Sequence, residues 1–231
     1  MSHAKQIYQT LHKAYGSQGW WPLSKGRLRT KHHSGPPKNS HDQWEIIVGA
    51  ILTQNTSWSN VEKAIENLNR KNLLRIDRIR KAPVARIAEL IRPAGYFNQK
   101  AERLKLIAKY FSKHFNDRTI PSREELLAVK GIGPETADSI LLYAFGQPYF
   151  VVDAYTRRLF SRLGLIEKDA SYDEIQEFFI NGLSHVRGKK KVEMFKEYHA
   201  LIVEHAKRHC MSRPECEGCC MGDFFFIYEG S

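Results

Sequence analysis

The sequence predicts an all-α protein, and two observations carry this prediction. Apolar residues recur at helical spacing along most of the 231 residues. Alternating polar and apolar residues, the pattern of a half-buried strand, form no run long enough to predict a sheet. Because 42% of the residues are hydrophobic, the chain can bury a substantial core in one or two domains without disulfides.

The helices follow from this periodicity in chain order. A first helix is expected at 5–15, before a long loop at 16–40 that is rich in glycine, proline, serine, histidine and basic residues. The segment 42–52 is almost wholly apolar after its start, which predicts a helix buried on most sides. Further helices are expected at 84–91, which Arg92-Pro93 ends, at 98–115 and at 188–209.

Three more helix starts are predicted by capping boxes. In a capping box a serine oxygen accepts a backbone N–H three residues later, and a glutamate there accepts the N–H of the serine. The pattern precedes an apolar periodic run at Ser59 with Glu62, at Ser122 with Glu125 and at Ser171 with Glu174.

The charge of the chain favours a polyanionic partner. Lys and Arg number 36 against 25 Asp and Glu, a formal net charge of +11. Nucleic acid is the leading candidate, with a basic protein that has no such partner as the alternative. No stretch approaches the ~20 apolar residues that cross a bilayer, and the start of the chain has no signal-peptide core. We therefore expect a cytoplasmic protein without a membrane partner.

The segment Val129-Lys130-Gly131-Ile132-Gly133 lies between two predicted helices. Both glycines permit the positive φ angles of a tight turn, Ile132 can fill the seam between the helices, and Pro134 suits the first turn of the second helix. Backbone N–H groups would then face solvent at the positive end of a helix, where a phosphate can dock without regard to base sequence. A plain corner between two helices is the alternative.

A carboxylate follows this hairpin. The extended apolar run 149–152 places Asp153 at the start of another predicted helix. There the aspartate can cap the helix, and the N–H groups that it accepts would keep it ionised. Capping and catalysis are thus compatible for this residue.

The four cysteines lie together near the end of the chain. A disulfide scaffold would spread its cysteines, whereas this clustering and the C-x-x-C spacing are typical of a metal site. Three thiolates in such a loop can converge on one metal centre, and four free thiols are the alternative. The predicted ligands are Cys210, Cys216, Cys219 and Cys220.

Three motifs together resemble the helix-hairpin-helix superfamily of DNA glycosylases typified by endonuclease III: the hairpin 130–133, its spacing to Val152-Asp153, and the segment 52–56. Within it, the segments 51–56, 92–101 and 152–153 look closest to the bacterial 3-methyladenine DNA glycosylases of endonuclease III type. The resemblance implies that duplex DNA with a damaged base is the partner. It implies that Asp153 supports base removal and that the hairpin and Lys130 bind phosphates.

The resemblance also predicts the type of reaction. Enzymes of the superfamily that also cleave the strand carry a lysine where this chain has Glu135. A carboxylate forms no imine, so we expect a monofunctional glycosylase that hydrolyses the bond to alkylated purines and leaves an abasic site. The alternatives are a glycosylase for oxidised or mismatched bases and a non-catalytic DNA-binding protein. Retention of Asp153 argues against the latter.

Aromatic residues are expected to hold the base once it has left the helix stack. By resemblance, Trp20, Trp21 and Pro22 line the base pocket with Trp44, where an indole face would favour a cationic methylated base. The alternative is that these aromatics are core residues. Gln54, with Asn55 beside it, matches the residue that related enzymes insert into the duplex. Capping the 42–52 helix is its alternative role.

The resemblance finally implies a cofactor and an architecture. Many members hold a structural [4Fe-4S] cluster by four cysteines, but the region where the last is expected, 222–226, contains none. Cys220 or another group would then be the fourth ligand, and structural zinc is the alternative metal. We expect a monomer with one helical lobe at 41–145, a second lobe formed by 1–40 with 146–231, and the active site in the cleft between them.

Overall fold

The computed structural model describes residues 2–25, 27–32 and 35–225. In these ranges the regular elements are helices, and the only β-type pairing is an isolated antiparallel bridge between Leu23 and Lys31. The predicted all-α class is therefore confirmed. Within the same ranges, no helix combines the length and apolar character needed to span a membrane.

The α-helices differ widely in length, from single turns to 21 residues. Their bounds are α1 His3–Tyr15, α2 Ser40–Leu52, α3 Trp58–Arg70, α4 Ile76–Lys81, α5 Val84–Leu90, α6 Phe97–Asp117, α7 Arg123–Leu127, α8 Pro134–Ser139, α9 Ala154–Arg162, α10 Tyr172–Gly182, α11 Gly188–Arg208 and α12 Gly222–Phe225. A 3₁₀ turn, Arg92–Ala94, precedes α6, and a π-helical turn, Ile140–Ala144, follows α8.

Two of the three predicted capping boxes are confirmed. Ser122 caps α7 with Glu125, and Ser171 caps α10 with Glu174. The box at Ser59 was wrong: α3 begins at Trp58, one residue before Ser59. The glutamate of that predicted box, Glu62, instead accepts a hydrogen bond of 2.5 Å from the hydroxyl of Thr30.

The chain forms two compact units. The terminal unit comprises Met1–Trp20 with Pro148–Ser231, of which Met1 and 226–231 lie outside the described residues, and the central unit comprises Trp21–Gln147. The predicted second lobe included 21–40, but the described residues of this segment belong to the central unit. Its attachment there has a clear cause, because the buried carboxylate of Glu45 on α2 accepts the N–H and the hydroxyl of Ser24, each at 2.6 Å.

The terminal unit packs its first helix against its last long one. α1 lies against α10 and α11, and α9 also packs on α11. Aromatic rings fill the space between them, with Phe150 stacked on Phe179 at 3.8 Å between centroids and Phe160 and Tyr198 meeting Phe179 edge-on. This core fixes the positions of α9 and α11, which carry the polar residues described below.

The central unit is built around α2, which is buried along most of its length as predicted. α2 packs against the π-helical turn, α6 and α3. A buried lysine closes its C-terminal end: the ammonium of Lys100 donates to the carbonyl oxygens of Leu52 at 2.9 Å and Ala94 at 2.7 Å. Burial, followed by the charge of Arg103, lowers the pKa of Lys100 to about 8. Lys100 thereby fixes the start of the loop at 53–57.

Candidate active site and nucleic-acid interface

The segment that delivers Asp153 is extended and is held by α10. The side-chain amide of Gln176 donates to the carbonyl oxygen of Phe150 at 2.7 Å. The N–H of Val152 donates to the hydroxyl of Tyr172 at 3.3 Å. Both bonds join the segment to one helix, so the position of the following carboxylate is set by the terminal unit itself.

The two oxygens of Asp153 have different neighbours. Oδ1 accepts the N–H of Thr156 at 2.7 Å and its hydroxyl at 2.9 Å, so Asp153 is the N-cap of α9. Oδ2 lies 3.5 Å from Nε2 of His199, and the aspartate side chain is 12% exposed. The carboxylate is therefore fixed by one oxygen and has the other beside an imidazole.

These neighbours decide the ionisation of Asp153. Burial disfavours the charged carboxylate, but the hydrogen bond and charge of His199 and the bonds from Thr156 outweigh it and lower the pKa of Asp153 below its usual value. The group is consequently ionised at neutral pH, as the sequence predicted.

His199 was not identified from the sequence. It lies on the buried face of α11, between Phe195 and Ile202, and its side chain is 7% exposed. A histidine at helical spacing between two core residues is a signal that could have pointed to it. Its ring also meets the ring of Trp20 edge-on, with 6.2 Å between centroids. The terminal unit thus brings Trp20 and Asp153 to the same imidazole.

Trp20 has a cation over its ring. The ammonium of Lys207 on α11 lies 5.9 Å from the ring centroid. The indole is partly exposed. The indole face of Trp20 therefore attracts a cation.

The other predicted pocket residues, Trp21, Pro22 and Trp44, are buried in the central unit. Trp21 packs edge-on against Trp58 and Tyr143, and its indole lies so close to Gly49 that a Cβ there would be 2.9 Å from Nε1. This packing corresponds to the core role that the sequence left open.

Trp44 is buried more completely than Trp21. Its side chain is 1% exposed, and within the described ranges its indole N–H has no hydrogen-bond partner. A buried N–H without an acceptor costs about 1–3 kcal/mol.

Three of the predicted features of the hairpin and the helix start after it are confirmed. Gly131 has a φ of +86°, Ile132 is buried, and Pro134 is the first residue of α8. The N–H of Ile132 donates to the carbonyl of Val129 at 3.0 Å, which closes the turn. The expectation for Gly133 was wrong, since its φ of −97° is open to any residue.

Side chains of the central unit hold the hairpin in place. The amide of Gln54 donates to the carbonyl of Gly131 at 3.2 Å and to the hydroxyl of Thr136 at 2.9 Å, and it accepts a hydrogen bond from Arg103. Arg103 leaves no room for a side chain at Gly131, where a Cβ would be 2.4 Å from its Nε. Gln54 therefore braces the hairpin, whereas the neighbouring Asn55 is exposed with a φ of +53°.

The hairpin presents a lysine and two backbone N–H groups on its solvent side. Lys130 and Gly131 are exposed. In the described part of the chain, the N–H groups of Gly131 and Gly133 have no backbone acceptor. Backbone N–H groups at the start of a helix, with a lysine beside them, form a suitable site for a phosphate.

The cysteine loop surrounds a cavity in the terminal unit. Cys210, Cys216 and Cys219 line a volume of about 260 Å³ together with His205 and His209. Cys220 does not line it. Its sulfur lies 3.9 Å from the hydroxyl of Tyr15.

The residues around this cavity fit a metal cluster better than a single ion. Two of the three sulfurs accept hydrogen bonds of the kind found around iron–sulfur clusters, from Arg162 to Cys210 at 3.2 Å and from the N–H of Met221 to Cys219 at 3.4 Å. Among the described residues, no three Cys, His, Asp or Glu side chains converge on a point that could hold a single metal ion. Sulfurs around a cavity suit a cluster of several atoms, so three of the four predicted ligands fit.

The chain was compared with known proteins. A family model described as "HhH-GPD superfamily base excision DNA repair protein" matches residues 48–184. A protein of Methanocaldococcus jannaschii, provisionally assigned as a DNA repair glycosylase, is 44% identical over 95% of this chain and 94% of its own length. Endonuclease III of Sulfolobus acidocaldarius is 29% identical over 99% of this chain and 97% of its own.

A solved structure gives a similar result. The 3-methyladenine DNA glycosylase of H. pylori, crystallised with 1,N6-ethenoadenine, superposes with a TM-score of 0.73 at 30% identity. The match covers 89% of this chain and 97% of the other.

Proposed function

This chain belongs to the HhH-GPD superfamily of base excision DNA repair proteins and is a DNA glycosylase, and we propose that it removes alkylated purines of the 3-methyladenine type from duplex DNA. The observation that carries the proposal is the ionised carboxylate of Asp153, which is fixed by Thr156 and lies beside His199, whose ring also meets that of Trp20. Similarity to the H. pylori 3-methyladenine enzyme supports the choice of base.

The proposed reaction is a hydrolysis. Alkylation at a ring nitrogen gives the base a positive charge, so the electron pair of the N-glycosidic bond leaves with a base that becomes neutral. Positive charge develops on the deoxyribose, and the carboxylate of Asp153 stabilises it. Water then adds to the sugar carbon and gives up a proton to the carboxylate or to solvent, which leaves an abasic site.

Asp153 is suited to this task because His199 and Thr156 lower its pKa, so the carboxylate is already ionised before DNA binds. Oδ1 accepts two hydrogen bonds from Thr156, which fix the orientation of the carboxylate. Oδ2 is the oxygen available to the sugar, and His199 positions it. The acid limb of the pH profile should accordingly lie below the usual pKa of an aspartate, since Asp153 ionises there.

Base selection is assigned to Trp20. The ring already lies under the ammonium of Lys207, and a cationic base could take the same kind of position. Cation–π attraction of about 0.5–2 kcal/mol would favour the alkylated base over its neutral parent. Because the indole N–H of Trp44 has no hydrogen-bond partner among the described residues, Trp44 is a candidate donor to a flipped base.

DNA binding is assigned to the hairpin. The N–H groups of Gly131 and Gly133 and the ammonium of Lys130 would bind phosphates without reading sequence. Asn55, exposed beside Gln54, replaces Gln54 as our candidate for insertion into the duplex, because the Gln54 amide is fully engaged with the hairpin. A monomer on duplex DNA suffices for these contacts.

The cysteine loop would have a structural role. A [4Fe-4S] cluster held by Cys210, Cys216 and Cys219 would, when bound, hold this loop in one conformation. Of the chain's own residues, Arg158 and Arg162 fix the start of the loop through hydrogen bonds to the carbonyls of Cys210 and Met211 at 2.7 and 2.6 Å.

A test uses three duplexes that carry 3-methyladenine, thymine glycol or an adenine mismatch, with base release and strand breakage scored with and without alkali. We expect release from the methylated duplex only, breakage only after alkali because Glu135 provides no amine, and loss of release in Asp153→Asn. Breakage without alkali, with a product trapped by borohydride, would contradict the monofunctional mechanism. Release of oxidised or mismatched bases instead would favour the alternative glycosylase activity that the sequence left open.

A further inference from the structure

The fourth ligand of the cysteine loop was expected to be Cys220, and the structure offers a histidine in its place. His205 lines the cavity with Cys210, Cys216 and Cys219. Its Nε2 lies 3.7 Å from the sulfur of Cys219, whereas its Nδ1 lies 3.8 Å from the sulfur of Cys220. The imidazole therefore stands between the two adjacent cysteines, with one sulfur on each edge.

The orientation of His205 is fixed by a tyrosine. Its ring is fully buried on α11, and Nδ1 lies 2.9 Å from the hydroxyl of Tyr15 on α1. Histidines that bind metals almost always use one nitrogen for the metal and the other for a hydrogen bond of this kind. In the tautomer that donates from Nδ1 to Tyr15, Nε2 keeps its lone pair towards Cys219 and the cavity.

We propose that His205, through Nε2, is the fourth ligand of an iron–sulfur cluster held by Cys210, Cys216 and Cys219, and that Cys220 is not a ligand. Three thiols lose their protons when the cluster binds, and the imidazole binds with its lone pair. Histidine replaces cysteine on one iron in other iron–sulfur proteins, so the chemistry has precedent. The ligand set explains why the loop needs no cysteine in the region 222–225.

His209 is the competing candidate. It also lines the cavity and its ring stacks on that of His205, with 5.6 Å between centroids. Its Nδ1 lies 3.2 Å from the carbonyl oxygen of Glu215, so it anchors the loop. The structure shows no contact between a His209 nitrogen and a cysteine sulfur among the described residues, and this difference favours His205.

The first measurement uses the unmodified chain purified without oxygen. Iron and sulfide are determined per chain, and the cluster is examined by pulsed electron paramagnetic resonance in its paramagnetic redox state. We expect about four irons and four sulfides and a strong coupling to a nitrogen nucleus. Zinc in place of iron, or a cluster without nitrogen coupling, would overturn the proposal. Neither result depends on which base the enzyme removes, so this test is separate from that of the function.

Four variants locate the nitrogen. His205→Ala should lose iron, while Cys220→Ser and His209→Gln, the matched controls, should keep both the iron and the nitrogen coupling. His205→Cys should keep iron, lose the coupling and lower the reduction potential, because a fourth thiolate replaces a neutral ligand. Loss of iron in Cys220→Ser together with retention in His205→Ala would assign the position to Cys220 and sink the proposal.

Discussion

The Nε2 atom of His199 lies 3.5 Å from Oδ2 of Asp153, on the side of the carboxylate that capping leaves free. Because this imidazole helps to lower the pKa of Asp153, His199→Phe should slow base release by about 10- to 100-fold through misplacement of the carboxylate. It should also move the acid limb of the pH profile upwards.

His199→Gln should recover part of the rate, since its amide can donate to the same oxygen. Exposed His185, also in the terminal unit, provides the control variant His185→Gln. The measurement is single-turnover release from a methylated duplex across the acidic and neutral pH range. An unchanged acid limb in His199→Phe would show that the histidine serves packing alone.

The two hairpin glycines should respond differently to the same substitution. Gly131 has a φ of +86°, which strains any other residue, and a Cβ there would lie 2.4 Å from Nε of Arg103. Gly133 has an ordinary φ, and no atom lies within 4 Å of its Cβ position. Gly131→Ala should lower the free energy of unfolding by about 1 kcal/mol or more and weaken binding to undamaged duplex. Gly133→Ala should change stability little. Urea unfolding and binding at fixed salt would check this, and equal losses in both variants would contradict it.

Because Lys100 is buried, the free energy of unfolding should change with pH in the alkaline range. Burial lowers its pKa to about 8 in the folded chain, whereas an unfolded lysine has a pKa near 10.4. Between these values the unfolded chain holds more protons, so folding is increasingly favoured as the pH rises. The free energy of unfolding should therefore rise from about pH 8 to about pH 10 relative to that of Lys100→Met. Exposed Lys113→Met on the same helix is the control and should follow the unmodified chain.

Substitutions at Trp20 and Trp21 should affect different properties, base preference for Trp20 and folding stability for Trp21. Trp21 is 5% exposed among Trp58, Tyr143 and Gly49, so Trp21→Ala should cost about 3–5 kcal/mol of folding free energy. Partly exposed Trp20 should tolerate leucine but lose cation–π attraction. That loss of about 0.5–2 kcal/mol corresponds to roughly a 2- to 30-fold drop in preference for a cationic over a neutral alkylated base. An unfolded Trp20→Leu, or an unchanged preference, would contradict the assignment.

Local features were predictable from the sequence. The caps at Ser122, Ser171 and Asp153 depend on residues within one turn, and so do the positive φ of Gly131 and the place of Pro134. Such local interactions form in the folded chain unless a residue distant in sequence binds the same side chain.

Distant groups explain what the sequence did not predict. Glu62 accepts a hydrogen bond from the hydroxyl of Thr30, 32 residues away. Gln54 donates a hydrogen bond to the carbonyl of Gly131, 77 residues later in the chain. The histidines beside Asp153 and Cys219 lie on α11, whose helical pattern identifies a buried face but not which polar group that face will meet. Contacts of this kind depend on packing between elements and have no local pattern.

The terminal unit combines the first 20 residues with those after 147, and this has a consequence for synthesis. During translation the continuous stretch 21–147 can fold once it has left the ribosome, whereas α1 must wait for α10 and α11 before it can be buried. The hairpin at 129–133, to which we assign DNA binding, would be complete first, and Asp153, His199 and the cysteine loop would be assembled last. On the proposed assignments, the growing polypeptide would acquire its DNA-binding hairpin before it acquired the carboxylate that supports base removal.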